Sequence, residues 1–399
     1  AYILPGTETS DDPRRVPVAP GTHTPDGRIL ITDARLFDST GSSARKADIL
    51  IDGKTIAAIE SSIPPPDGVR LIDARGRTVM PGLIDLHVHL TYVERFGDPR
   101  ELTDENQSDA ALRGITRLRA YVENGITTVR DTSSDGMAPF RLKDWVAEGR
   151  IPGPRVFASG QLITGKGGHG TEGFGARTAP EYAESALREA AGSDDWIAAV
   201  REQFKNGADF IKLASHYSPE EVRAAIEEAH RLGLKVTVDS ETVFTAMAVE
   251  AGVDSIEHPL PRCDETISRM VDLGVDAVPT FVPYQLIIGM AGGYYGSTSR
   301  RFTLTEDIMF EQGQKMRDAG VRLGIGTDLI LDWYQFLPGP YIRELQNFET
   351  LGYTPAEAVI AATSTNAAIT GMDDKLGTIE VGKLADVIIV SGRPDEDVT

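Results

Sequence analysis

The sequence predicts an α/β fold, a (β/α)8 TIM barrel joined to a small β-sandwich formed by both termini. Three observations carry that expectation. Strand-like and helix-like stretches alternate about eight times over roughly 290 residues, the number and size expected of such a barrel. Short β-type runs precede this region, and a similar piece returns after it. No glycine-rich nucleotide fingerprint follows the first strand of the alternating region, which disfavours a doubly wound open sheet.

Residues 1–27 carry Pro5, Pro13, Pro17, Pro20 and Pro25 among polar residues and read as an extended, poorly packed N-terminal arm. Runs at 29–31, 48–51 and 55–59 are separated by turn residues such as Asp52-Gly53, with Pro64-Pro65-Pro66 further on, and predict a small antiparallel unit. The stretch 377–383 leading into 386–390 is expected to pair with it. The sandwich would then comprise residues 28–80 and 372–399, and the barrel residues 81–371. Barrel strands are expected at 83–87, 126–130, 155–159, 210–214, 235–239, 254–257, 277–280 and 322–326, with helices between most of them, as at 219–232 and 306–319.

Composition narrows the function. At 399 residues and 41% hydrophobic content the chain can bury a large core, and no stretch is apolar enough for a transmembrane helix. A net charge of −20 argues against nucleic acid or an anionic membrane surface as partner and leaves a small-molecule substrate, with a homo-oligomer open. The single cysteine, Cys263, rules out an internal disulfide framework and a cysteine-rich zinc site. The chain starts at Ala1 rather than methionine, so a removed signal peptide stays open; cytoplasm is preferred over secretion as the compartment.

In Met80-Pro81-Gly82-Leu83-Ile84-Asp85-Leu86-His87-Val88-His89, apolar residues mark a buried strand, and alternation sets His87 and His89 on one face. Two imidazoles at a strand's C-terminal end can grip one divalent ion. A lone His-x-His is more often chance, so the other strand ends matter. In order they carry Arg130-Asp131, the loop Thr164-Gly165-Lys166-Gly167-Gly168-His169-Gly170, then Lys212, Asp239, His258, and Asp328 in Gly326-Thr327-Asp328. Three of seven histidines thus fall at strand ends, where a barrel gathers its chemistry. Arg130 and Asp131 read as a structural ion pair at the barrel mouth, and His216, His230 and His23 as ordinary residues.

This constellation resembles the metal-dependent amidohydrolase superfamily over nearly the whole chain. Asp209-Phe210-Ile211-Lys212 and Gly252-Val253-Asp254-Ser255-Ile256-Glu257-His258 look like the branch of Xaa-Pro and Xaa-Arg dipeptidases, ochratoxin-type amidases and imidazolonepropionase relatives. The resemblance implies that His87, His89 and Asp328 bind a buried divalent metal, zinc being the ion expected first. It implies a carboxylated Lys212 bridging two ions, His258 on the second ion, and Asp328 as the base that later protonates the leaving amine. His169 and Tyr217 would contact substrate, although a packed loop tyrosine is an equal reading of Tyr217. The expected activity is hydrolysis of an amide bond in a dipeptide or N-acyl amino acid by a metal-activated hydroxide.

The chain departs from the pattern at the fifth strand, where relatives carry a second-metal histidine and this chain has Asp239. An aspartate can bind zinc through oxygen, but its side chain is shorter. A native carboxylate-modified pair, a single-metal enzyme and an inactivated variant all stay open. A mononuclear cyclic amidase or deaminase, a metal-dependent lyase or isomerase, and a non-catalytic binder are the alternatives. Residues 281–304, with Tyr284, Tyr294 and Tyr295, read either as a mobile aromatic lid or a plain surface insertion; Trp333, Tyr334 and Phe336 are candidates to line the same pocket.

Overall fold

The computed structural model describes residues 27–92, 107–171, 186–241, 243–260, 263–291, 304–329 and 331–399. The expected arm and His23, and the lid residues 292–303 with Tyr294 and Tyr295, lie outside the described residues.

The two ends of the chain meet in one sheet. Strands β1 (Arg28–Leu36), β2 (Arg45–Asp52), β3 (Thr55–Glu60), β4 (Arg70–Asp73) and β5 (Thr78–Pro81) are joined by the late strand β15 (Val387–Val390). β15 runs antiparallel to β5 with Val387 opposite Pro81, so the expected pairing of the termini is present. The sheet is mixed rather than antiparallel, because β4 and β5 both run parallel to β1. Residues 377–383 form turns instead of a strand, yet Ile379 is buried in the core of this sheet with Leu36, Ile49 and Ile56. That core is separate from the larger one.

The alternating region builds two parallel sheets. One holds β6 (Leu83–Val88), β7 (Ile126–Asp131) and β8 (Arg155–Ala158). The other holds β9 (Leu162–Gly165), β10 (Leu187–Ala190), β11 (Phe210–Ala214), β12 (Lys235–Glu241), β13 (Ser255–Leu260) and β14 (Asp276–Val278) in the order β10-β9-β11-β12-β13-β14. β9 and β10 were not among the expected strands, and β9 takes in the start of the expected loop before His169. The eighth expected strand is not a regular one. Residues 322–326 nevertheless link the sheets: Ala277 N–H donates to Arg322 O at 3.0 Å, Gly324 N–H to Ala277 O at 2.8 Å, and Leu86 N–H to Ile325 O at 3.0 Å. At the end of this stretch Gly326 is packed against His87 with no room for a Cβ.

The helices follow from local signals. Pro219–Arg231 starts with a Ser218/Glu221 capping box and Pro219 in its first turn, and it buries Val222, Ala225, Ile226 and Ala229 along one face. Glu306–Ala319 is capped by Thr305 and ends at Gly320, whose φ of +95° suits a residue without a Cβ. The expected lid begins instead as a helix, Phe281–Ala291, whose first two N–H groups are held by the buried Glu344 carboxylate at 2.9 and 3.0 Å. No described helix is long and apolar enough to cross a membrane.

Candidate metal centre

Four predicted residues meet at the strand ends. Asp328 Oδ1 lies 3.6 Å from His87 Nε2 and 3.2 Å from His89 Nε2, and its Oδ2 lies 3.8 Å from His258 Nε2. Ligand atoms of His87, His258 and Asp328 all fall within 4.8 Å of one another, compact enough to hold one ion. Each element holds its residue for a reason. The Asp328 N–H donates to His87 O at 2.7 Å. Buried Asp85 accepts from Thr327 N at 2.9 Å, Thr327 Oγ1 at 2.5 Å and His87 N at 3.1 Å, tying the Asp328 loop to β6. Asp328, His258 and Thr280 take φ values of +45°, +53° and +50°. Such backbone costs a non-glycine residue on the order of 1–3 kcal/mol and gathers at functional sites.

The outer ring nitrogens decide what the histidines can do. His87 Nδ1 faces Glu257 Oε2 at 2.7 Å, and His89 Nδ1 faces Ser133 O at 2.9 Å. Both partners only accept, so each Nδ1 carries the proton. His258 Nδ1 faces Thr280 Oγ1 at 2.5 Å, and Thr280 already donates to Pro279 O at 2.8 Å, so His258 Nδ1 also donates. In a neutral ring that leaves Nε2 as a bare lone pair, and all three Nε2 atoms face Asp328. Burial pushes the His87 pKa down to about 3, aided by the Lys212 charge, and burial likewise lowers His258, which keeps both rings neutral. Neutral imidazoles with the second nitrogen anchored are what a divalent ion needs. Burial pushes Asp328 up, and charged His87, His89 and His258 rings would pull it well below the usual carboxylate range; with rings neutral, a divalent cation would take over that role.

A second group lies beside the first. Asp239 Oδ2 sits 3.5 Å from His258 Nε2, 3.5 Å from His169 Nε2 and 3.8 Å from Lys212 Nζ. Burial raises Asp239, yet His169 and the Lys212 charge beside it keep it well below the usual carboxylate range. Lys212 is 2% exposed, its Nζ makes no hydrogen bond, and burial lowers its pKa. The short aspartate thus reaches the histidine and the lysine that a second ion would share.

The fold and this geometry agree with the comparison to known proteins. The profile of the amidohydrolase family matches residues 78–399. The chain belongs to that family. It is an enzyme that hydrolyses carbon–nitrogen bonds. It is 28% identical to an imidazolonepropionase of Symbiobacterium thermophilum over 90% of this chain and 85% of that protein. It is also 28% identical to an ochratoxinase of Aspergillus niger over 92% of this chain and 82% of that one. Among solved structures, a Xaa-Pro dipeptidase with bound methionine in its active site superposes with a TM-score of 0.81 at 28% identity, over 93% of this chain and 96% of that one.

Other predicted residues fall elsewhere. Tyr217 is packed between Trp196 and Phe244 and donates its hydroxyl to Phe244 O at 2.9 Å, the packed-loop reading. His216 stacks edge-on against Phe244, and His230 pairs with Asp254 on the outside. The expected Arg130–Asp131 ion pair is replaced. Arg130 bonds Glu257, while Asp131 Oδ1 accepts from Ser134, because strand neighbours point to opposite faces. Tyr334 is buried under Arg117, and Phe336 is exposed.

The reading of the sequence missed Glu257, Asp85, Thr280 and Ser133. A signal existed for Glu257: a carboxylate inside the apolar run of a buried strand must find partners. The left-handed backbone at His258 breaks strand alternation, so neighbours Glu257 and His258 both reach interior groups.

Proposed function

We propose that the chain is a metal-dependent hydrolase that cleaves the amide bond of a dipeptide or N-acyl amino acid at the mouth of a closed (β/α)8 barrel. The observation that carries this is the convergence of the Nε2 atoms of His87, His89 and His258 on the Asp328 carboxylate. These four residues would hold one divalent ion, with zinc suited to imidazole and carboxylate donors. When bound, the ion would make an attacking water acidic near neutral pH and polarise the scissile carbonyl. Asp328 accepts the water's proton and returns it to the leaving amine, since it is anionic, adjacent to the ligands and 15% exposed on its side chain. His169, in the loop beside Asp239, contacts the substrate, and Tyr217 keeps the wall behind it in place. The substrate class follows the names of the relatives, which include a Xaa-Pro dipeptidase and an ochratoxinase.

A second ion has an observation of its own in its favour. The buried Lys212 amine without a hydrogen bond is where CO2 would attach; His258, whose one Nε2 lone pair serves a single ion, would then join a carboxylated Lys212 and Asp239 on the second ion and leave His87, His89 and Asp328 on the first. The test is chelation followed by zinc return, with metals per chain counted and dipeptides and N-acyl amino acids assayed. Activity should vanish and return with metal. Asp328→Asn should lose about 10²–10⁴-fold in turnover with metal retained, the usual worth of a proton shuttle. Full turnover in chelated protein, or in the Asn variant, would overturn the assignment.

A further inference from the structure

The carboxylate of Glu257 is fully buried and belongs to no step above, yet both its oxygens are committed. Oε2 accepts from His87 Nδ1 at 2.7 Å. Oε1 takes the Arg130 Nη2 and Thr237 Oγ1 hydrogen bonds. Arg130 cannot yield, because its Nε donates to Leu86 O at 2.6 Å and its Nη1 contacts Ser255 Oγ at 3.3 Å. Thr237 can yield, since its hydroxyl also lies 3.2 Å from Ser255 O and is free to turn its hydrogen there.

We propose that Arg130 and Glu257 form a positioning pair that locks His87 in the tautomer with a bare Nε2, and so sets metal affinity at this centre. Arg130 has donors only, so whatever occupies position 257 must present an acceptor to it. A carboxylate offers acceptors at both ends and therefore accepts from His87 as well. The ring proton is fixed on Nδ1 and the Nε2 lone pair faces the ion. The lock rests on the metal-dependent reading above and extends it to residues that never touch the ion.

The lock makes an unusual prediction for an isosteric change. In Glu257→Gln the amide oxygen must face Arg130, which leaves the amide NH2 facing His87 Nδ1. His87 is then forced to accept there and to carry its proton on Nε2, pointing at the metal. Metal affinity should fall about 10–100-fold, the range seen when a ligand's supporting partner is lost. Adding Arg130→Met should partly restore it. The amide can then turn, donating to Thr237 and accepting from His87, and no buried charge is left alone. A merely structural pair would instead become worse with each change.

The experiment measures zinc affinity by chelator competition for the parental protein, Glu257→Gln and the double variant, with thermal unfolding of each. Nitrogen-15 NMR of the histidine rings reads the His87 tautomer independently of metal and turnover. Weaker binding with the proton moved to Nε2 in the single variant, both reversed in the double variant, supports the lock. A single variant that keeps parental affinity or the Nδ1–H tautomer overturns it, as does a double variant weaker than the single. A parental protein that binds no metal defeats the functional reading itself, whereas unchanged affinity in the variants defeats only the lock.

Discussion

Gly326 is where the fold and the proposed chemistry press hardest on each other. A Cβ built there would lie 2.9 Å from His87 Cβ, 3.0 Å from His87 N and 2.7 Å from Val278 Cγ1, while ordinary contact begins at 3.4 Å. The shortfall toward His87 is 3.4 − 2.9 = 0.5 Å, and part of it is against backbone, which cannot rotate away. The added methyl in Gly326→Ala would be wedged between β14 and β6, and His87 must move outward by a few tenths of an ångström. The hydrogen bond from Asp328 N to His87 O ties the proposed base to the same displacement. Overpacking of this kind costs about 1–3 kcal/mol of stability. A misplacement of about 1 Å can cost roughly 10²-fold in rate, so half of that predicts a loss between about 10- and 10²-fold, with weaker metal retention. Gly324→Ala is the control. Its Cβ would meet Asn366 Oδ1, Ile369 Cδ1 and Leu86 Cδ1, all at 2.7 Å and all side-chain atoms away from the ligands. Both variants should unfold at lower denaturant concentration, and only Gly326→Ala should lose metal and kcat disproportionately. Equal activity losses in the two, or parental metal content and kcat in Gly326→Ala, would refute the claim that this glycine exists to admit His87.

Two further outcomes can be checked on the same protein. Asp239→His exchanges an anionic oxygen for a neutral nitrogen with longer reach, and metals per chain or turnover should rise under the proposal of a second ion; unchanged occupancy with lower activity would show that the aspartate is the functional ligand. Glu344 is buried against the first turn of Phe281–Ala291, and burial raises its pKa to about 8. The native state therefore keeps a proton that the unfolded chain releases near its usual value of about 4.3, so stability falls as pH rises from there to about 8 and then levels off. The ceiling is roughly 5 kcal/mol at about 1.4 kcal/mol per pKa unit. Glu344→Gln should flatten that slope, which denaturant midpoints from acid to mildly alkaline pH will read, and parallel curves for both forms would contradict the assignment.

What could be read from the sequence follows the range of the interactions involved. Sequence pattern and caps are local, so the Ser218 capping box and the apolar run of β11, broken only by Lys212, announced their elements directly. The candidate ligand histidines were legible because strand ends are where a barrel does chemistry, whatever the intervening loops are doing. The eighth strand was legible as a place but not as a geometry. The approach of Gly326 to His87 spans some 240 positions of chain, and no local pattern encodes it. The tautomer of His87 lies further out of reach, since it depends on Glu257, which depends on Arg130, each from a different strand. Asp239 shows the same boundary from the other side. Its departure from the family pattern was plain in the sequence, and its short side chain left open whether it reaches an ion. Distance to a partner is set by both backbones, however, and β12 brings Oδ2 to 3.5 Å from His258 Nε2. A substitution judged on side-chain length alone therefore misjudges a site whose strands converge, and the loss of an imidazole at this position leaves the neighbouring histidine and lysine still within reach of a charged oxygen.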